Sequence, residues 1–463
     1  MTLTNTGYAD RAQAARRPLP SRAPSAPLIG RLPVPVIIYL ILVITPALFN
    51  IGPLVMSALR VFLLVMIVPL MARLLSGRLG RVLSVDILFI LHMVWALVAL
   101  QVNNPDMALT QFGSLGAEML GGYLLARAYI RSKADFIALC RWLGIIVCAT
   151  LPLAILEART GNPILINAFD AIPGLRSIGR AATNPRMGLE RAQVMMSHPI
   201  HYGLFCSTAF ALILMGMKGI LPTAQRLGMA AGIALAVFLS LSSGALLPLI
   251  MMTFMILWWH ALHRTGRAWA LLLALSALAY VAIDLLSNRT PILVFFSYAT
   301  FSAHNAYWRG QIFEWGMKNV WGSPVFGIGL NDWIRPHYMN SGSMDNFWLV
   351  MAVRYGIPGF LLVAAGYAIG AARIAVARLD WDPQMAQLRR AWMITFVGLA
   401  FTLCTVHVWG NIYSYVFFMF GSGIWFIAAK PPEGGDPEDK TAAPPAPRSR
   451  YSRFAAVERP SAT

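Results

Sequence analysis

Residues 186–203 read RMGLERAQVMMSHPIHYG, a stretch rich in groups able to hold an anion. Arg186 and Arg191 lie five apart, Glu190 sits between them, and His198 and His201 follow. Guanidinium groups stay charged at any relevant pH and grip phosphate oxygens through planar, two-pronged hydrogen bonds. A nearby histidine exchanges a proton close to neutral pH. The pattern suits an anion clamp with an acid/base group. It equally suits an interfacial loop whose arginines meet lipid headgroups and whose histidines cap a helix; spacing alone does not choose.

A second polar region follows later. The stretch YWRGQIFEWGMKNV (307–320) predicts an amphipathic helix on a membrane surface. Trp308, Ile312, Phe313 and Trp315 would face inward, with Arg309 and Lys318 among its polar positions. GSPVFGIGLNDW (322–333) reads as a turn region, and its GIG is no dinucleotide loop, since no βαβ unit surrounds it. Arg335 and His337 come next, then SMDNFWLVMAVRYGIPG (343–359). The pair Asp345–Asn346 stands at the mouth of an apolar segment. It can cap a helix, or Asp345 can serve as a base or an anchor for sugar hydroxyls.

The elements that must position these residues are hydrophobic. Apolar residues form 58% of the 463-residue chain and charged ones 12%, and the apolar ones are blocked into long runs. Runs of about 18–25 residues match the thickness of a bilayer core, and lipid leaves helices as the natural spanning form for such segments. Candidate spans lie near 33–49, 52–72, 84–102, 111–130, 138–156, 202–217, 227–241, 243–260, 268–286, 346–370, 391–408 and 412–429. The expected fold is an all-α, polytopic integral membrane protein with about twelve transmembrane helices. Its membrane domain would cover 33–429, with functional loops near 157–202 and 287–345. Pro-, Ala- and Arg-rich tails at 1–32 and 430–463 read as disordered.

Basic residues orient the chain. With the N-tail inside, 26 of the 37 Lys and Arg fall on the cytoplasmic side, as membrane proteins prefer. An even number of spans returns the C-tail to that side. Ten of the other eleven lie in or beside the two long outer loops, and Arg60 lies within a span. The net charge of +18 is thus explained by topology and does not call for nucleic acid. Arg60 and Glu118, both inside spans, are expected to pair across helices. His92 and His407 read as packing residues, and the four cysteines as free, space-filling thiols. No spacing suggests a metal or another cofactor. No internal repeat is visible, which argues against an inverted-repeat transporter.

The ordered set RMGLERAQ…HPIHYG, PVFGIGLNDW and SMDNFWLVMAVRYGIPG resembles the O-antigen ligase/polymerase superfamily, most closely exopolysaccharide polymerases of Gram-negative bacteria. EMLGGYLLARAYI (118–130) and EARTGNP (157–163) fit the same pattern. The resemblance implies an inner-membrane enzyme with periplasmic loops and cytoplasmic termini. Such an enzyme moves a glycan from an undecaprenyl-diphosphate carrier to an acceptor sugar, without metal or cofactor. It implies diphosphate contacts at Arg186, Arg191, Arg309 and Arg335, and a proton-handling group among Asp345, His198 and His337. Many ligase-type members carry a His–Asn pair where this chain has Asp345–Asn346. Implied partners are the lipid-linked glycan, the bilayer, a flippase and a chain-length regulator. Polymerisation of repeat units is the expected function. Transfer of finished glycan to lipid A-core or protein is the alternative, and a flippase or transporter a further one.

Overall fold

The computed structural model describes residues 30–52, 54–287, 291, 294 and 303–431, with backbone alone for 303–306. The two tails lie almost wholly outside the described residues, as does Arg289.

The chain is a stack of apolar helices. Seven helices among the described residues are long and apolar enough to cross a membrane, beside shorter apolar ones at Val34–Val43, Thr223–Leu239 and Asn411–Ile427. The protein is therefore multi-pass and mostly helical; among the described residues seven helices reach spanning length, beside the twelve spans read from hydropathy.

The first departure is local. α1 (Val34–Val43) ends early, and the expected spans 33–49 and 52–72 are interrupted by a hairpin of β1 (Ala47–Ile51) and β2 (Leu54–Ser57). Pro46 cannot donate an amide hydrogen and disfavours helix at Thr45, so the helix stops before it. In the hairpin Leu48 faces Ser57 and Ile51 faces Leu54. A two-residue strand, β3 (Arg176–Ser177), pairs with β1 and ties the first polar loop to the end of α1. The fold is thus not purely α.

α2 (Ala58–Leu75) starts at Ser57, whose hydroxyl accepts the Arg60 amide hydrogen at 3.1 Å. α3 (Ser84–Asn103), α4 (Pro105–Gly116), a π turn at Ala117–Gly121 and α5 (Gly122–Tyr129) follow. α6 (Lys133–Thr160) is set by a capping box of Ser132 with Asp135 and ends at Gly161. α7 (Ile164–Asp170) and the first polar loop lead to α8 (Pro199–Ala211). α9 (Thr223–Leu239) and α10 (Ser243–Leu262) form a hairpin of helices, followed by α11 (Ala268–Leu286) and α12 (Ala303–Gly322). α13 (Phe347–Ala375), α14 (Pro383–Leu403) and α15 (Asn411–Gly421) complete the α-helices among the described residues.

Two ion pairs remove charge from the helix interior, where isolated ions are costly. Arg60 meets Glu118 at 2.7 Å, as the sequence suggested. Arg127 meets Asp86 at 2.9 Å, and Tyr123 donates to the same carboxylate at 2.6 Å. α3 lies against α13 across Gly366, where an added Cβ would come within 2.5 Å of the Phe89 ring.

Two breaks in apolar segments shape the loop face. α13 opens at Gly356, which has φ +71° and ψ 177°. Pro358 offers no amide hydrogen to the Arg354 carbonyl, four residues back. The turn at 323–330 fills the gap: Gly329 donates to the Arg354 carbonyl at 3.0 Å and Ile328 to that of Val353 at 2.8 Å. α14 likewise stops at Leu403, short of the expected 408. Residues 404–410 become a loop, held by Phe347 donating to the Val406 carbonyl (3.1 Å) and turned into α15 at Gly410, φ +60°.

Candidate functional site

The first polar loop is built before it can bind anything. The Glu157 carboxylate, at the end of α6, accepts the amide hydrogens of Gln193 (3.0 Å) and Val194 (2.8 Å). Val194 sits at φ 54°, a left-handed conformation that an apolar side chain rarely adopts. Ala192 donates to the Leu239 carbonyl at 3.0 Å, which places the loop on the turn between α9 and α10.

That turn orients both arginines. Arg186 donates from Nη1 to the Leu241 carbonyl (2.7 Å), and Arg191 from Nε to that of Ser240 (3.4 Å). Leu241 is itself left-handed, φ 45°, a geometry that costs of order 1–3 kcal/mol and is compensated elsewhere. Each guanidinium thus spends part of its donor set on the scaffold and keeps the rest.

A cavity of about 380 Å³ opens beside the turn. Arg186, Arg191 and His198 line it from the first loop, Arg309 and Trp308 from α12, Asp345 from the segment before α13, and His407 and Trp409 from the 404–410 loop. Three cations and one carboxylate therefore share one chamber. Arg309, one of the expected polar positions of its helix, lines the chamber together with Trp308 and Ile312. Asp345 accepts a hydrogen bond from the Ser343 hydroxyl at 2.8 Å, while its neighbour Asn346 caps α13 by accepting from the Leu349 amide at 3.0 Å.

The electrostatics follow from that crowding. Burial, then the charge of Arg186, brings Arg191 down to about 10, and burial lowers Arg186. Burial also lowers Arg309, with Asp345 opposing and Arg186 adding to the fall. All three stay cationic at neutral pH. Burial, then the positive charge of Arg191, pulls His198 down to about 4, so it is neutral. Its Nδ1 accepts the Ile200 amide hydrogen at 3.1 Å as the cap of α8. A neutral imidazole with Nδ1 as acceptor carries its hydrogen on Nε2. His198 thus presents a donor, as a helix-capping histidine, and not a free base. His407 is also pulled to about 4, by burial and then by Arg354.

The other candidates lie elsewhere. Arg335 pairs with Asp332 at 2.5 Å and donates to the Met339 and Trp333 carbonyls at 3.0 and 3.2 Å. His337 is exposed and packs edge-on against Tyr338. Neither lines the chamber. Residues that sequence reasoning did not single out do line it or its neighbours. His407, expected as a packing residue, lines the chamber, and Trp409 beside it packs on His201 with ring centroids 4.0 Å apart. Arg354, on the last turn before the break, lines two adjoining cavities with these same two residues. The signal was present in GIPG (356–359), which breaks the helix two residues after Arg354.

On its far side α12 borders an apolar groove of about 570 Å³, lined by Phe313, Met317 and Trp321 and, from α13, Trp348, Leu349 and Phe360. One helix thus carries a cationic end toward the chamber and an apolar flank toward the groove.

No match was found among curated proteins. A family model does match, over the stretch from α9 to the middle of α13. It takes in the Ser240–Leu241 turn, Arg309, Asp345 and Arg354, and leaves Arg186, Arg191 and His198 before it and His407 and Trp409 after it. Residues 228–364 match the model described as O-Antigen ligase, and this match supports placing the chain in the O-antigen ligase/polymerase superfamily.

Proposed function

We propose that this protein is a glycosyltransferase that polymerises undecaprenyl-diphosphate-linked oligosaccharide repeat units at the periplasmic face of a bacterial inner membrane. The observation that carries the reading is the chamber in which Arg186, Arg191 and Arg309 converge with Asp345. Arginine only donates hydrogen bonds, and a diphosphate only accepts them. The apolar groove behind α12 suits the hydrocarbon tail of the same carrier. Superfamily membership, multi-pass architecture and orientation by basic residues support the same assignment.

The chemistry is a displacement at the anomeric carbon. The bond from that carbon to the phosphate oxygen breaks, its electron pair leaves on the lipid diphosphate, and an acceptor hydroxyl forms the new bond. The acceptor's proton goes to the Asp345 carboxylate. Charge grows on the leaving diphosphate, where three guanidinium groups are already in position. Groups placed on developing charge contribute about 2–4 kcal/mol each to lowering a barrier. His198 would assist as an Nε2–H donor. Arg335 and His337 would serve the loop they sit in.

A second reading has its own support. The matching family model is described as O-Antigen ligase, which supports transfer of finished glycan to lipid A-core or protein, a reaction the same chamber would serve. The carboxylate Asp345, standing where many ligase-type members carry histidine, favours polymerisation. A strain lacking the gene separates the two: single lipid-linked repeat units accumulate if a polymerase is missing, and long lipid-linked chains if a ligase is. A flippase partner and a chain-length regulator belong with the first outcome. Unaltered lipid-linked glycans would overturn both.

A further inference from the structure

Across the His407–Trp409 wall from the cationic chamber lies a second cavity, of about 310 Å³, that the diphosphate chemistry does not use. Its character is different. Thr110, Gln111 and Ser114 reach it from one side of α4, and Tyr413 from α15. Its charged groups are Glu118, the one carboxylate on its wall, which pairs with Arg60 at 2.7 Å, and the guanidinium of Arg354. No hydrogen bond within the described protein occupies the side chains of Thr110, Gln111 or Ser114. The Tyr413 hydroxyl is buried, the residue being 5% exposed, and has no partner; the same holds for Nδ1 of His407. Buried polar atoms are nearly always satisfied, so orphaned ones on a cavity wall point to a ligand.

The type of ligand follows from hydrogen-bond capacity. Guanidinium groups donate only and suit an anion that accepts only. Hydroxyl and carboxamide groups both donate and accept, and so do the hydroxyls of a sugar. Trp409 adds a flat apolar face, 43% exposed, on the shared wall. We propose that this cavity is the acceptor subsite, taking the hydroxyl-rich sugar whose oxygen attacks the donor held in the neighbouring chamber. The proposal rests on the glycosyl-transfer reading and adds to it where the second substrate sits. Both cavities share His407 and Trp409, so the acceptor oxygen and the donor's anomeric carbon meet at that wall. The bond changes are those given above: the acceptor hydroxyl loses its proton to Asp345, and the diphosphate leaves with the bonding pair.

The test uses the full chain in lipid nanodiscs. The donor is the labelled lipid-linked repeat unit from the deletion strain, and the varied acceptor is the repeat-unit oligosaccharide freed from its lipid. Undecaprenyl diphosphate is the probe of the donor site. The double variant Gln111→Leu/Ser114→Ala, and separately Tyr413→Phe, should raise KM for the oligosaccharide at least tenfold. Both should leave binding of undecaprenyl diphosphate within twofold of wild type. An unchanged KM in both variants overturns the proposal. So does an equal loss of undecaprenyl diphosphate binding, which would give the cavity to the donor. Absence of transfer by the wild-type protein, despite bound lipid diphosphate, would overturn the glycosyl-transfer reading itself, a result distinct from either.

Discussion

Arg191 and Arg335 look alike in the sequence, each in a polar loop that departs from the usual distribution of basic residues, yet the fold treats them in opposite ways. Arg191 gives one long hydrogen bond to a carbonyl of the α9–α10 turn and turns the rest of its guanidinium toward a chamber shared with Arg186, Arg309 and Asp345. Arg335 is consumed by its own loop, through Asp332 and two carbonyls. What separates them is the number of donors left over. An arginine whose partners are already built in can hold a loop, whereas one with donors to spare can hold an anion.

The most direct attack on that contrast removes the spare donors. Arg191→Ala, and with it Asp345→Asn, should lower polymer formation about 10²–10³-fold at equal protein level, the size expected for a group acting on developing charge. Full-length polymer from both variants would show that the chamber is not the reacting centre. Next in size is the scaffold beneath Arg191. Glu157→Ala leaves two buried amide hydrogens unpaired, each costing about 1–3 kcal/mol. The thermal midpoint in detergent should fall and activity with it, while Glu157→Gln, which keeps one acceptor, should recover part of both. If Glu157→Ala changes neither, the loop is held by other contacts.

A smaller effect concerns His198. The folded values of His198 and His407 lie near 4, below the ordinary value of about 6.5 that the unfolded chain would show. Between those limits the unfolded state binds more protons, so stability falls as pH drops from about 6.5 toward 4. His198→Asn keeps an acceptor for the helix cap and removes one of the titrating groups. It should flatten the fall of the thermal midpoint with pH, and an unaltered slope would remove His198 from that account. The least change is expected at the other pole of the comparison: Arg335→Ala should alter transfer by less than about fivefold, in keeping with an exposed ion pair. A loss as large as that of Arg191→Ala, with the loop still folded by proteolysis, would erase the distinction between the two arginines.

The fold was partly legible in advance. Helical segments could be read from apolar length, and the Arg60–Glu118 pair from two opposite charges inside apolar runs. Asn346 as a cap followed from residue type. Hydropathy could not show where backbone breaks fall: α1 stops ahead of Pro46, α13 opens at Gly356, and α14 ends at Leu403, all within runs of uniform apolarity. Those breaks matter more for the site than the helices do, because they bring Arg354, His407 and Trp409 to the loop face.

By itself the sequence determined that this is a helical membrane protein with arginines gathered in two polar loops, since charge placement and apolar length are properties of composition along a chain. Which arginines face a common chamber was decided only by tertiary structure. Glu157 bonds two amides 36 and 37 residues away, and the turn at Ser240–Leu241 takes hydrogen bonds from arginines some 50 residues earlier. The division into a cationic chamber and a mixed polar cavity arises the same way. His407 and Trp409 become a wall between them only when the loop after α14 packs against α8 and α13, and no local pattern encodes that contact.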